Sequence, residues 1–253
     1  MAPSATVKRE ITAAQGFLAK SDGKDKLLAT LQYAAMFLSA GSPGAAKKVQ
    51  VSLATARKAF RIMKPVESIL PVVMNPSLDW RRPVYVEILK KLKCILMAVY
   101  FGGDHIVWLK LSGLIATDPK KQSRFIELAQ KASLYGWFGG SLCGILTEIY
   151  DIQNLLSKKY GETDEAYVKR QKELEPELRR RAIVLVHGVF QALLAVGLLG
   201  LRPWKPRTVG LFGVAASAIN CYMLYPAVDR SSSVIATGAG AGAGGKKDDK
   251  KAA

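Results

Sequence analysis

Two uncharged runs constrain this chain more than any other feature: Ala182 to Leu201, 20 residues between Arg181 and Arg202, and Thr208 to Val228, 21 residues between Arg207 and Asp229. Each is long enough, as a helix, to cover about 30 Å, the thickness of a bilayer's hydrocarbon core. The link Arg202-Pro203-Trp204-Lys205-Pro206-Arg207 between them carries two prolines and a tryptophan suited to a membrane interface. The pattern predicts a transmembrane helical hairpin over 182–228. A buried hairpin in a soluble bundle is the competing reading, but Gly188, Gly197, Gly200, Gly210 and Gly213 cost helix propensity in water and suit close packing in lipid.

The charges are segregated from these spans. The chain has 37 Lys+Arg against 20 Asp+Glu, a formal net charge of +17, yet a mean hydropathy of +0.11. That combination favours a membrane or an acidic surface over an ordinary cytosolic enzyme. The flank 169–181 carries six positive residues and the tail 230–251 five, against three in the turn, so the positive-inside count puts both flanks of the hairpin in the cytosol.

Residues 81–160 read as a long apolar helical pair, interfacial or membrane-embedded. The run from Lys131 to Glu148 encloses 16 uncharged residues and sets Gly136, Gly140 and Gly144 at four-residue steps along one helical face. A stripe without side chains admits another helix closely, so these glycines are a candidate surface for helix packing and self-association. Cys94 to Leu114 is broken by Asp104, His105 and Lys110 and reads as a long helix lying partly in the interface or packed against its neighbours. A charged connector, 161–181, leads to the hairpin.

The first 80 residues are basic and amphipathic. From Lys26 to Val66 there is no acidic residue. Ser21-Asp22 offers an N-cap for a first helix, and Gly41-Ser42-Pro43-Gly44 breaks the chain after it. A helix over about 45–64 then sets Val49, Leu53, Ala56, Phe60 and Met63 in a narrow stripe, with Lys47, Lys48, Arg57, Lys58, Arg61 and Lys64 round the rest; Pro65 ends or kinks it. Such a helix can lie in an anionic headgroup layer, each basic side chain contributing about 1 kcal/mol before screening. The assigned membrane-binding residues are Lys47, Lys48, Leu53, Arg57, Lys58, Phe60, Arg61, Met63 and Lys64. The stripe also fits a core-facing helix of a soluble bundle. RNA binding is disfavoured, because no aromatic interleaves the basic residues except Phe60, on the opposite face.

Little raw material for catalysis exists. Cys94, Cys143 and Cys221 are odd in number and far apart, which argues for free thiols, and the two histidines, His105 and His187, have no ligand-spaced companion. His187 reads as a packed or hydrogen-bonded histidine. No catalytic, cofactor or metal site is assigned, and no secretory signal is expected, since Met1 to Glu10 contains no apolar run. The tail 229–253 is of low complexity, with a Gly/Ala run from Gly238 to Gly245. The fold class is all-α: cytosolic amphipathic helices plus a membrane-embedded bundle ending in a two-helix transmembrane hairpin.

Several local patterns together resemble the peroxin-eleven family of peroxisomal membrane proliferation factors, plant and algal type. They are Asp25-Lys26-Leu27 with Gln32-Tyr33, Ala56 to Arg61 with Lys64, Asp104 to Trp108 with Gly113, Leu134 to Trp137, and the final hairpin. The resemblance implies a non-enzymatic protein of the peroxisomal membrane with both termini cytosolic. It implies amphipathic helices inserted into the cytosolic leaflet, elongation and tubulation of the membrane, and promotion of fission and proliferation. Implied partners are anionic membrane lipids, further copies of the chain, and a dynamin-related fission GTPase with its membrane adaptor; no nucleic acid is expected. Some members carry the dilysine pattern read by the COPI coat, and Lys250-Lys251 would supply it here. The family's alternative reading is a channel for small metabolites, with Asp104, Lys110, Glu148 and Asp151 as polar lining.

Overall fold

A computed structural model describes residues 4–115 and 119–226 as eight helices, with no strand among them. They are α1 (Ala5–Ala19), α2 (Ser21–Ser39), α3 (Ala45–Ala59), α4 (Lys64–Met74), α5 (Val84–Leu111), α6 (Pro119–Leu156), α7 (Asp164–Leu199) and α8 (Pro206–Leu224). The all-α expectation is met. The tail 229–253, including Lys250 and Lys251, lies outside the described residues.

The punctuation is mostly where the sequence puts it. Ala40 in the left-handed region (φ 51°) closes α2, Gly200 (φ 70°) closes α7, and Pro206 opens α8, where its missing N–H costs nothing. Thr163 caps α7 by accepting from the Ala166 N–H. Three details differ. Ser21 lies inside α2, and its hydroxyl donates to the Phe60 carbonyl at 2.7 Å instead of capping. The helix expected over 45–64 stops at Ala59 and restarts at Lys64, with Pro65 in the first turn of α4, because proline is tolerated in a first turn and not in a helix interior. The charged connector is helical from Asp164 and continues without a break through Pro176 into the apolar half of α7.

The helices form a closed ring in which α5 packs on α6, α6 on α7, α7 on α8, α8 on α2, α2 on α3 and α3 on α5, with α4 lying along α5 and α1 against α2. The helices of segments 1–80, 81–160 and 182–228 that the structure describes therefore share one bundle. Its centre is built from Ala29, Tyr33, Trp137, Leu194, Ala195 and Val209.

Backbones approach closely at the glycines. A Cβ on Gly136 would stand 2.6 Å from the Leu96 carbonyl oxygen of α5, and one on Gly213 would stand 2.2 Å from the Tyr33 ring of α2. The face of Gly136, Gly140 and Gly144 is thus occupied within the chain, against Leu96, Met97 and Lys93. It serves helix packing, and the expected self-association has no room there.

Large apolar side chains point outward over much of the bundle. Val84, Ile88, Leu92, Ile95 and Val99 line one exposed face of α5, and Val66, Leu70, Val73 and Met74 are exposed on α4. Among the described residues one helix, α7, is long and apolar enough to cross a membrane.

Candidate functional site

Charged side chains converge where α2, α3 and α5 meet. Asp25, in the second turn of α2, is 2% exposed and accepts from Arg57 Nε at 3.0 Å and from Arg61 Nε at 2.8 Å, with Lys26 Nζ at 3.1 Å. Arg57 Nη1 donates to Gln32 Oε1 at 2.6 Å, and Arg61 Nη1 to Tyr100 Oη at 2.8 Å and Asp104 Oδ2 at 3.3 Å. Lys58 donates to the other Asp104 oxygen. Tyr100 in turn stacks on Trp137, ring centroids 5.2 Å apart. Arg57 and Arg61, with Lys58 between them, reach the ring interior because they lie one helical turn apart.

Position explains the electrostatics. Burial opposes ionisation of Asp25, but Arg61, Arg57 and Lys26 overcome it and hold its carboxyl well below the usual carboxylate range. A folded-state pKa depressed in this way contributes stability that is present above the unfolded value near 3.8 and lost as pH falls through the folded one. We therefore expect the melting-temperature gap between the full chain and its Asp25→Asn variant to be widest near neutrality and to narrow as pH drops from about 5 to about 2. A gap independent of pH would contradict this assignment.

Against the sequence expectation, the basic helix is turned inside out. Arg57 and Arg61, assigned to a headgroup-facing surface, are buried, Lys58 is half-buried, and Lys64 pairs with Asp22 at 2.8 Å and with Glu67 at 2.6 Å. Lys47 bonds to Gln50, Leu53 is half-buried, and only Lys48 keeps a fully outward charge. The stripe faces out instead: Val49, Phe60 and Met63 are 49%, 37% and 60% exposed. The cause lies outside α3. Asp25, buried, and Asp104, half-buried, 79 residues apart in sequence, present counter-charges to the basic side and draw it inward. Sequence reading missed both carboxylates as partners because neither is near α3 along the chain; the only signal was the acid-free run beside Asp25.

The four residues proposed as a channel lining do not come together. Asp104 belongs to the cluster above, whereas Glu148 and Asp151 sit in a second one, accepting from Arg181 at 3.1 and 2.7 Å, with Arg82 on Asp151 at 3.1 Å. Lys110 is exposed near the end of α5. His187 bonds to Gln191 at 3.0 Å, and Gln191 accepts from Trp137, so this histidine is a member of a core hydrogen-bond chain. All three cysteines are free thiols.

Comparison with known proteins gives one family. The family model described as Peroxisomal biogenesis factor 11 matches residues 11–225. Peroxisomal membrane protein 11C of Arabidopsis thaliana is 31% identical over 237 residues, covering 90% of this chain and 98% of its own length. Peroxisomal membrane protein 11D of the same plant is 33% identical over 87% of this chain and 93% of its own, and Peroxisomal membrane protein 11-1 of Oryza sativa subsp. japonica is 31% identical over 83% and 89%. No solved structure matches.

Proposed function

The chain belongs to the Peroxisomal biogenesis factor 11 family, and from that premise we propose that it remodels the peroxisomal membrane, wedging apolar helix faces into the cytosolic leaflet so that the bilayer elongates and becomes competent for fission. Membership itself supports a peroxisomal membrane protein acting in peroxisome biogenesis. The remodelling mechanism is our reading.

One observation carries it: Arg57, Lys58, Arg61 and Lys64 turn toward the bundle while the apolar side chains of α3, α4 and the link between them face outward. In water such an arrangement exposes a contiguous apolar band, and in a leaflet it is satisfied. Each such side chain, fully buried in lipid, contributes about 1.5–3 kcal/mol, so Phe60, Met63, Val66 and Leu70 together suffice for adsorption. In this reading α7 and α8 are the transmembrane hairpin, the Arg179 to Arg181 end of its apolar half lies at the cytosolic surface, and both termini are cytosolic. Arg57 and Arg61, turned into the bundle, are not part of the anionic lipid contact. Self-assembly would use outward apolar faces such as that of α5, and the dynamin-related GTPase, its adaptor and a COPI contact through Lys250 and Lys251 remain part of the proposal.

The test is tubulation of anionic liposomes by the full chain. Phe60→Glu combined with Met63→Glu places two charges on the outward stripe and is expected to lower tubulation at least tenfold while leaving helicity unchanged. Equal tubulation by the double variant would refute the wedge.

A further inference from the structure

The cluster joining α2, α3 and α5 is overcharged. Lys26, Arg57, Lys58 and Arg61 bring four cations to it, and Asp25 and Asp104 bring two carboxylates, leaving an excess of two positive charges. Solvent reaches that excess only in part, because the side chains of Arg57 and Arg61 are 9% and 8% exposed and those of Lys58 and Lys26 are 17% and 22% exposed. Buried charge without counter-charge is costly, so a structure that keeps it has a use for it or a partner to neutralise it.

Space for such a partner lies directly against the cations. A cavity of about 220 Å³ is lined by Arg57, Lys58 and Arg61, with the Asp104 carboxylate among them and Gln32, Tyr33 and Ser133 as neutral hydrogen-bonding groups. Water occupies about 30 Å³ per molecule, so the cavity admits a tetrahedral oxyanion and the first atoms attached to it. Lys58 has three N–H donors and one carboxylate partner, so it retains donors for a ligand.

We propose that this cavity binds a phosphate monoester group, carried by a soluble metabolite or by a lipid headgroup, with Arg57, Lys58 and Arg61 as its cationic wall. A phosphate monoester carries about −1.5 to −2 charge at neutral pH, which opposes the positive excess of the cluster, and guanidinium groups suit its geometry. In agreement, burial and the neighbouring Arg61 and Arg57 push the Lys58 ammonium down to about 8, as expected of a cation whose surroundings are already too positive. The site does not depend on the wedge reading above, which concerns the opposite face of α3.

The full chain is reconstituted in phosphatidylcholine nanodiscs, and binding of radiolabelled inorganic phosphate is measured at constant ionic strength. A second set of nanodiscs contains phosphatidic acid, and native mass spectrometry reads the lipid that stays with the protein. Saturable binding of phosphate in neutral lipid assigns a soluble source; retention of phosphatidic acid, displaced by phosphate, assigns a headgroup. Lys58→Gln leaves Asp104 its bond to Arg61 and is expected to weaken binding at least tenfold, and Lys58→Arg to restore it. Absence of saturable binding by the unaltered chain in both sets, or full binding by Lys58→Gln, would overturn the proposal. The unaltered chain alone decides the first of these, whatever the folding of the variants.

Discussion

Asp25→Ala is expected to destabilise the chain by about 3–5 kcal/mol, the usual cost of removing one partner from a buried ion pair. The carboxylate is nearly inaccessible, and three cations close on it. Without it Lys26, Arg57 and Arg61 face one another with only Asp104 to balance them, and like charges in a low dielectric repel strongly. The damage is local in origin and global in reach, because Asp25 ties α2 to the end of α3 and Arg61 ties both to Tyr100 of α5. Asp22→Ala is the control. Its side chain is 40% exposed and pairs with Lys64, so its loss is expected to cost no more than about 1 kcal/mol. Thermal unfolding of the two variants in detergent decides the matter, and equal losses would show that the cluster contributes no more than a surface pair.

The second large effect is expected at Gly136. A methyl group there meets the Leu96 carbonyl oxygen at 2.6 Å and the Tyr100 amide at 3.1 Å, both backbone, so α5 and α6 have to part. Overpacking of this kind costs about 1–3 kcal/mol. Moving along the same stripe the obstacle softens: Gly140 meets the flexible Met97 sulfur at 3.1 Å, and Gly144 the Lys93 ammonium at 3.3 Å. The expected order of destabilisation by alanine is therefore Gly136, then Gly140, then Gly144. Gly102, with open space around it in the same helix pair, is expected to gain about 0.5–1 kcal/mol on substitution by alanine, since the glycine there brings only the entropic cost of its freedom. If Gly136→Ala proved as benign as Gly102→Ala, the close contact of α5 and α6 would be refuted.

What the sequence disclosed and what it withheld follow from the range over which each signal acts. The start of α7 at the Thr163 cap, inside the charged connector, was not legible, whereas the breaks at Gly41 to Gly44 and at the proline link Arg202 to Arg207 were, because glycine and proline act on their own neighbours. So was the closeness marked by Gly136, Gly140 and Gly144, although not the partner: a bare stripe says that a backbone approaches, not whose, and here it is the preceding helix of the same chain. The orientation of α3 was not legible. Its stripe and its basic face are the same in either direction, and the choice is made by Asp25 and Asp104, whose proximity to Arg57, Lys58 and Arg61 is a product of the closed ring. The same holds for the cavity, which requires α2, α3, α5 and α6 together and leaves no periodic trace in any one of them.

That ring closes between α2 and α8, where Gly213 receives the Tyr33 ring and Gly210 the backbone at Phe37. Partners so far apart impose an order on biosynthesis. Ribosomes add about 5–20 residues per second, so α2 leaves the tunnel roughly ten seconds or more before the helix it must embrace has been made. Through that interval Tyr33 and Ala29 have no α8 to cover them, and a chain cut short anywhere before Pro206 never acquires one. The protein is consequently committed to finishing translation before it can finish folding, and whatever shields α2 in the meantime must release it only after the last helix has emerged.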